Sequence, residues 1–313
     1  MSVRRVVRAV MIASSTVTAL VVFARALSAQ HLPQSTLAVR ENGATRIFWR
    51  SDSAPTHWSA AALAPSMRWR TVARGVETAA LLLTGTGEAW RTRLVAVRLD
   101  PSQLTLSLDT AALPSGQPAW NLTRAPRDAV FAMNAGQFRS IRPWGLVVLN
   151  GARLMPAERG PLAATIAIDS TNTLHWVFDD EATPLHLAFA FQSYPVLLQS
   201  SNIPLPLQQA ERGVDVTHRD ARLALGRLRN GQLMVVMSRF DGLGPSFGSI
   251  PFGLTVPEMS AVMGALGAVD AVLLDGGISA QLFAGQGAAR ITERGWRDVP
   301  LAFIARARRA TPP

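Results

Sequence analysis

In the stretch AVLLDGGISAQL, residues 271–282, an apolar run meets an aspartate, two glycines and, one residue on, a serine. Asp275 there can act as a base, a nucleophile or a stabiliser of positive charge, and Ser279 can donate a hydrogen bond beside it. Gly276 and Gly277 leave the backbone bare, so its amides can face an anion or a closely packed neighbour. An Asp-Gly-Gly run alone is also an ordinary tight turn. Three further stretches change that reading. FAMNAGQF carries an apolar run into Asn134, Ala135 and Gly136; LAFAFQSYPVLL delivers Gln192 and Ser193 before Pro195; VTHRDARLALG sets His218, Arg219, Asp220 and Arg222 ahead of another apolar run. Amide, hydroxyl, guanidinium and carboxylate groups gathered at strand ends are how a rigid scaffold builds a polar site.

The elements that must hold these groups are mostly strands. RLVAVRLD and LTLSLD alternate apolar and polar residues with PSQ as a turn between them, and short strand patterns follow at AVFAMN, WGLVVLNGARL, AATIAID, TLHWVFD and LALGRLRNGQLMVVMS. Asn150-Gly151 and Asn230-Gly231 are hairpin signals. One segment switches to helical spacing: Thr255 caps it with Glu258 three residues on, Pro257 fits the first turn, and Leu254 can staple onto Met259. The helix is expected to end near Gly267 with Val262, Met263 and Leu266 as its buried stripe, handing over to the strand AVLL that ends at Asp275. The fold class predicted is α+β, a mixed β-sheet core with a few packed helices and an active site at converging strand ends.

Residues 1–29 have the grammar of a secretory signal peptide: Arg4, Arg5 and Arg8, an uncharged run over residues 9–23, then ALSAQ with cleavage after Ala29. That run is shorter than the roughly 20 residues a membrane span needs, and Arg25 interrupts it. A periplasmic or extracellular location follows, with contact to the membrane only through the export signal. Residues 30–87 read as an N-terminal variable region, 88–308 as the main domain and 309–313 as a tail. The net charge is +10; without the four leader arginines about +6 remains, scattered rather than striped. Anionic partners such as phosphodiesters or wall polymers suit that excess, and nucleic acid is not expected. The chain has no lysine and no cysteine, which excludes Schiff-base lysine chemistry, a thiol nucleophile, disulfides and thiolate zinc sites. Its five histidines lack metal-ligand spacing, so a histidine-based metal centre is not expected; no cofactor is expected, and the sequence does not decide whether a divalent cation assists.

These segments, in this order over about residues 90–305, resemble the phosphodiester glycosidase domain family. The strongest part is GLTVPEMSAVMGALGAVDAVLLDGGISAQL, similar to the family's helix, strand and D-G-G-x-S turn; NAGQF with PWGL, QSYPVL and RLALG resemble three further family segments. Ala135, Tyr194 and Ile278 depart from it, each standing where glycine is common. The resemblance implies hydrolysis of a bond between a sugar's anomeric carbon and a phosphodiester, as in GlcNAc-1-phosphate esters, or of a related anionic polysaccharide. It makes Asp275, Asn134, Arg222 and His218 the expected catalytic residues. Gly136, Gln192, Ser193, Arg219, Gly276, Gly277 and Ser279 are the expected substrate contacts. On this reading Asp275→Asn and Asn134→Ala abolish turnover and leave folding intact. Two competing readings are a non-catalytic wall- or polysaccharide-binding protein, and a metal-assisted phosphoesterase with Asp275 and Asp241 as oxygen ligands of a divalent cation. Trp49, Trp58, Trp69 and Trp90 are core residues by default and sugar-stacking residues otherwise.

Overall fold

Short apolar runs broken every few residues by Gly, Asn or Pro can pair only with partners reached through tight turns or long loops, and every ladder described is antiparallel. The computed structural model describes residues 35–86, 90–110, 120–139, 142–160, 162–178, 186–208, 214–241 and 253–308. The expected signal peptide and the tail after residue 308 lie outside the described residues.

The largest sheet has nine strands. Its order is β15 (Val196–Leu198), β18 (Ala268–Leu274), β16 (Leu223–Leu228), β17 (Leu233–Phe240), β5 (Thr92–Leu99), β4 (Val76–Thr86), β1 (Thr36–Glu41) and β2 (Ala44–Arg50), with β3 (Arg70–Ala73) also on β4. A second sheet runs β11 (Ala152–Met155), β10 (Val147–Leu149), β14 (Leu187–Ser193), β12 (Ala164–Asp169) and β13 (Leu174–Phe178). The third runs β20 (Ile291–Glu293), β19 (Leu282–Ala284), β7 (Ala129–Asn134), β21 (Ala302–Ala307) and β6 (Leu104–Asp109), and β8 (Phe138–Arg139) and β9 (Arg142–Pro143) form a small ribbon.

This is a predominantly β protein, which corrects the expected α+β class with a mixed sheet. Parallel neighbours need a crossover of a dozen or more residues, usually a helix, and only two α-helices are present among the described residues. These are α1 (Leu205–Gln208) and α2 (Val256–Ala265). The strands of the 36–86 stretch join the large sheet directly: β4 pairs with β5 from Val76↔Leu99 to Leu82↔Arg93, so the sheet runs across the expected division at residue 87.

The helix α2 forms where its local signals place it. Thr255 and Glu258 close a reciprocal capping box and Pro257 sits in the first turn. Its surroundings differ from the expected single stripe: nine of its ten residues are buried, because β15, β16 and β18 cover one side and Trp58 lies over Gly264, where a Cβ would come 2.3 Å from the indole. Between the other sheets Phe303 meets Phe131 at 6.5 Å and Phe191 at 6.2 Å, joining sheets two and three in one core. Both residues of Asn150-Gly151 have positive φ, as a two-residue hairpin demands, whereas at Asn230-Gly231 only Gly231 does.

Candidate active site

The ends of β7, β14 and β18 and the entry to β16 meet at one place. Leu274, the last residue of β18, pairs with Leu223, and the next amide, that of Asp275, donates to the Gly136 carbonyl at 2.9 Å. The hydroxyl of Ser193 donates to the Leu273 carbonyl at 2.6 Å. The two glycines are required by segment 220–222. A Cβ at Gly276 would lie 2.4 Å from the Ala221 carbonyl oxygen, and one at Gly277, which has φ +55°, would lie 2.9 Å from Asp220 Oδ2. The Gly277 amide donates to Ala221 at 2.7 Å, so the Asp-Gly-Gly backbone is pressed against the chain that leads into β16.

Asp275 is therefore held half-buried where these strand ends meet. Burial pushes its carboxyl up to about 6, and the nearby negative charge of Asp220 adds to that; the Ser279 hydroxyl donates to it and the Arg297 charge works in the opposite direction. Asp220 is itself raised by burial, against the pull of Arg222, His218 and Arg239. Its Oδ1 accepts from the Ala221 amide at 2.8 Å, while Oδ2 faces the bare Gly277 and has no hydrogen-bond donor among the described residues. Two carboxylates with raised proton affinity thus act on each other across the glycine loop. Behind them Arg239, 1% exposed, donates to the carbonyls of Ala280 at 2.6 Å and Arg294 at 3.0 Å and holds the loop from its inner side.

The expected site residues divide in two. Asp275, Gly276, Gly277 and Ser279 form the pocket, with Gly136 (φ +68°) under Asp275. The others are used by the scaffold. Asn134, 1% exposed, donates to the Asp275 carbonyl at 2.8 Å and accepts from the Gln281 amide at 2.9 Å, clamping the loop rather than facing a ligand. The Gln192 amide donates to the Glu158 carbonyl at 2.8 Å and accepts from the backbone of Leu146 and Glu158, so both its ends are taken. Ser193 is fully buried. Arg219 makes a two-pronged pair with Glu258, at 2.6 and 2.7 Å, that neutralises a completely buried carboxylate in the first turn of α2. Arg222 spends Nε on Leu254 at 2.8 Å and Nη2 on the His218 carbonyl, and Asp220, Asp215 and Glu258 compensate its buried charge. His218 is exposed, with its amide on Asp215.

Sequence reasoning quoted Asp220 without singling it out, because an aspartate between two arginines reads as a solvated charge until burial is known. Arg297 and Trp296 lie outside every motif, and Trp144 stands at the variable position of PWGL. Asp241 lies past the end of β17, where its charge acts on Arg93, and it is not among the groups that shift Asp275. Among the described residues no three His, Asp or Glu side chains cluster as metal ligands. A cavity of about 670 Å³ lies beyond Arg219, walled by Trp49, Pro55, Leu207, Thr217 and Pro257; Asp275 is not on its wall. Trp49 and Trp58 are core residues, Trp69 lies under Arg98, and Trp90 is exposed.

The same arrangement of strands occurs in solved structures. One is the catalytic domain of zebrafish N-acetylglucosamine-1-phosphodiester alpha-N-acetylglucosaminidase, auto-inhibited by its pro-peptide; it is 13% identical with a TM-score of 0.55, covering 82% of this chain and 90% of that one. A hypothetical protein from Synechocystis is 16% identical with a TM-score of 0.52, over 84% of this chain and 65% of that one. A protein of Burkholderia pseudomallei K96243, provisionally named as exported, is 15% identical with a TM-score of 0.51, over 71% and 76%. At such identities the likeness is one of fold. Among curated proteins nothing matches the chain. The sequence model for phosphodiester glycosidase matches residues 127–306, from the start of β7 to the end of β21, which is more than half of the chain. That span contains Asn134, both carboxylates, the glycine loop and the helix that leads to it, and the protein belongs to the phosphodiester glycosidase family.

Proposed function

We propose that the chain is a hydrolase acting outside the cytoplasm, which cleaves a sugar-phosphodiester at the anomeric carbon and releases free sugar and a phosphomonoester. The observation that carries this reading is Asp275: a half-buried carboxyl at the meeting of strand ends, raised to about 6 and held by Ser279. A base of that strength is half ionised near pH 6 and mostly ionised at neutral pH, while remaining basic enough to take a proton from water.

The step balances with the chain's own groups. Water attacks the anomeric carbon and gives its proton to the Asp275 carboxylate. The bond from that carbon to the phosphate oxygen breaks, and the electron pair leaves with the phosphate. A phosphomonoester has its second pKa near 6, so it departs with little help from an acid. That fits a pocket whose second carboxylate, Asp220, raises the proton affinity of Asp275 through its negative charge and offers the unused Oδ2 as a hydrogen-bond acceptor. Arg297 is exposed with its guanidinium 5.0 Å from the centre of the Phe138 ring, its charge acts on Asp275, and it is assigned to the departing phosphate. The family's activity and the zebrafish enzyme's name support a hexosamine-1-phosphodiester as the substrate class, and the leader-like residues 1–29 support export.

The test incubates purified protein with UDP-GlcNAc and a panel of sugar-1-phosphodiesters, including a teichoic-acid-like polymer, and measures free sugar beside Asp275→Asn. Release that disappears in the variant is expected. Binding without release from any member would replace the hydrolase by a polysaccharide-binding protein on the same scaffold, and release abolished by a chelator would replace it by a metal-assisted phosphoesterase.

A further inference from the structure

Exposed apolar side chains gather around the Asp275 loop. Tyr194 is 36% exposed and Ile278 41%, both at positions where this chain departs from the family's glycines, and Trp296 is 63% exposed with its amide on the Ile278 carbonyl at 2.7 Å. Tyr194 does not stand alone. Its ring lies 4.5 Å from that of Trp144, centroid to centroid, at an interplanar angle of 59°. Gln137 ties the two together: its side-chain amide donates to the Tyr194 carbonyl at 3.0 Å, and its carbonyl accepts from the Trp144 amide at 2.8 Å. The residue before Gln137 is Gly136, whose carbonyl receives the Asp275 amide, and the residue after Tyr194 is Pro195, whose carbonyl receives the Leu273 amide at 3.0 Å. The aromatic pair is therefore built into the same backbone that sets the catalytic loop.

We propose that Trp144 and Tyr194 form a stacking platform for the pyranose ring of the substrate's sugar, an assignment that rests on the hydrolase reading above. A pyranose presents one face of C–H groups and a rim of hydroxyls, which matches an apolar ring edged by a phenol hydroxyl and the Gln137 amide. Neither ring carries charge, so the pair serves the sugar, while Arg297 stands on the Asp275 side for the phosphate. Exposed apolar groups concentrated at a polar pocket mark a ligand surface rather than the ordinary scatter of surface hydrophobes. Tyr194 makes the platform a feature of this chain, since glycine at that position has no ring to offer.

The test uses the Asp275→Asn protein, so that ligand persists, and measures Kd by calorimetry for UDP-GlcNAc and for UDP, which lacks the sugar. Adding Tyr194→Ala is expected to raise Kd for UDP-GlcNAc about 2- to 12-fold, the size of one ring-stacking contact, and to leave Kd for UDP unchanged. Tyr194→Phe is expected to retain binding, and Trp144→Ala to weaken it in the same sugar-dependent way should Tyr194→Ala not fold. An unchanged Kd for UDP-GlcNAc, or equal weakening for both ligands, would overturn the platform and leave the hydrolase reading standing. Failure of the Asp275→Asn protein to bind either ligand, with no sugar released by the unaltered protein, would overturn both.

Discussion

The polar groups at the meeting of the strand ends fall into two neighbouring regions with opposite economies. On the side of β7 and β14, Asn134, Gln192 and Ser193 have their polar atoms bonded to backbone. On the side of β16 and β18, Asp275 and Asp220 are half-buried with fewer partners than carboxylates usually demand, and both are pushed toward their neutral forms. Groups that are fully bonded stabilise and position; groups left short of partners are costly to the fold and ready for a ligand or a proton. On the proposed reading the amide side supplies stability and the carboxylate side the chemistry, although residue type alone makes both look like site residues.

The largest expected effect is on the carboxylate side. Asp275→Asn keeps the shape and removes the base, so kcat is expected to fall about 10²- to 10⁴-fold with the folded structure intact, as measured by sugar release and circular dichroism. Arg219→Ala probes the scaffold side. It leaves Glu258 buried without its partner, and chemical denaturation is expected to show a loss of about 3–5 kcal/mol while turnover per folded molecule holds. A large drop in turnover at unchanged stability would instead return Arg219 to the substrate.

Asn134→Ala follows. It strands the Gln281 amide and the Asp275 carbonyl, so the expected result is a stability loss of about 2–4 kcal/mol. This revises the expectation of lost turnover with folding intact. Any activity loss should come with a lower melting temperature, and an inactive variant of full stability would break the division between the two sides.

The carboxylate side has the opposite sign. Asp275 titrates near 6 when folded against 3.8 as an ordinary aspartate, so the folded state holds the proton more tightly. Its ionisation therefore costs nothing below about pH 4, costs progressively more between pH 4 and 6, and reaches its full penalty above that. Asp275→Asn is expected to raise stability at pH 7.5 by on the order of 3 kcal/mol and to change it little at pH 4, read from denaturation at the two pH values. The smallest effect is that of Asp220→Asn. Removing that negative charge lowers the proton affinity of Asp275, so the acid limb of kcat/KM should move down by less than about one pH unit. An acid limb that stays in place would separate the two carboxylates electrostatically.

What the sequence by itself determined is local. The helix at Val256–Ala265 followed from a capping box and a proline that act within four residues, and the strand ending at Asp275 from an apolar run meeting an Asp-Gly-Gly turn. The motifs also carried the family, since D-G-G-x-S after that helix and strand is a pattern of residues in order. Only the tertiary structure decided that all the described ladders are antiparallel, that the 36–86 stretch continues the large sheet, and which polar side chains are free to act. The reason is that a side chain's partner depends on which distant backbone packs against it: Asn134 is spent on Asp275, 141 residues away, and Arg219 on Glu258, 39 residues away. Burial is set in the same manner. Asp220 looks like a surface charge between two arginines until the glycine loop from the far end of β18 packs against it and leaves it half-buried, which raises its proton affinity.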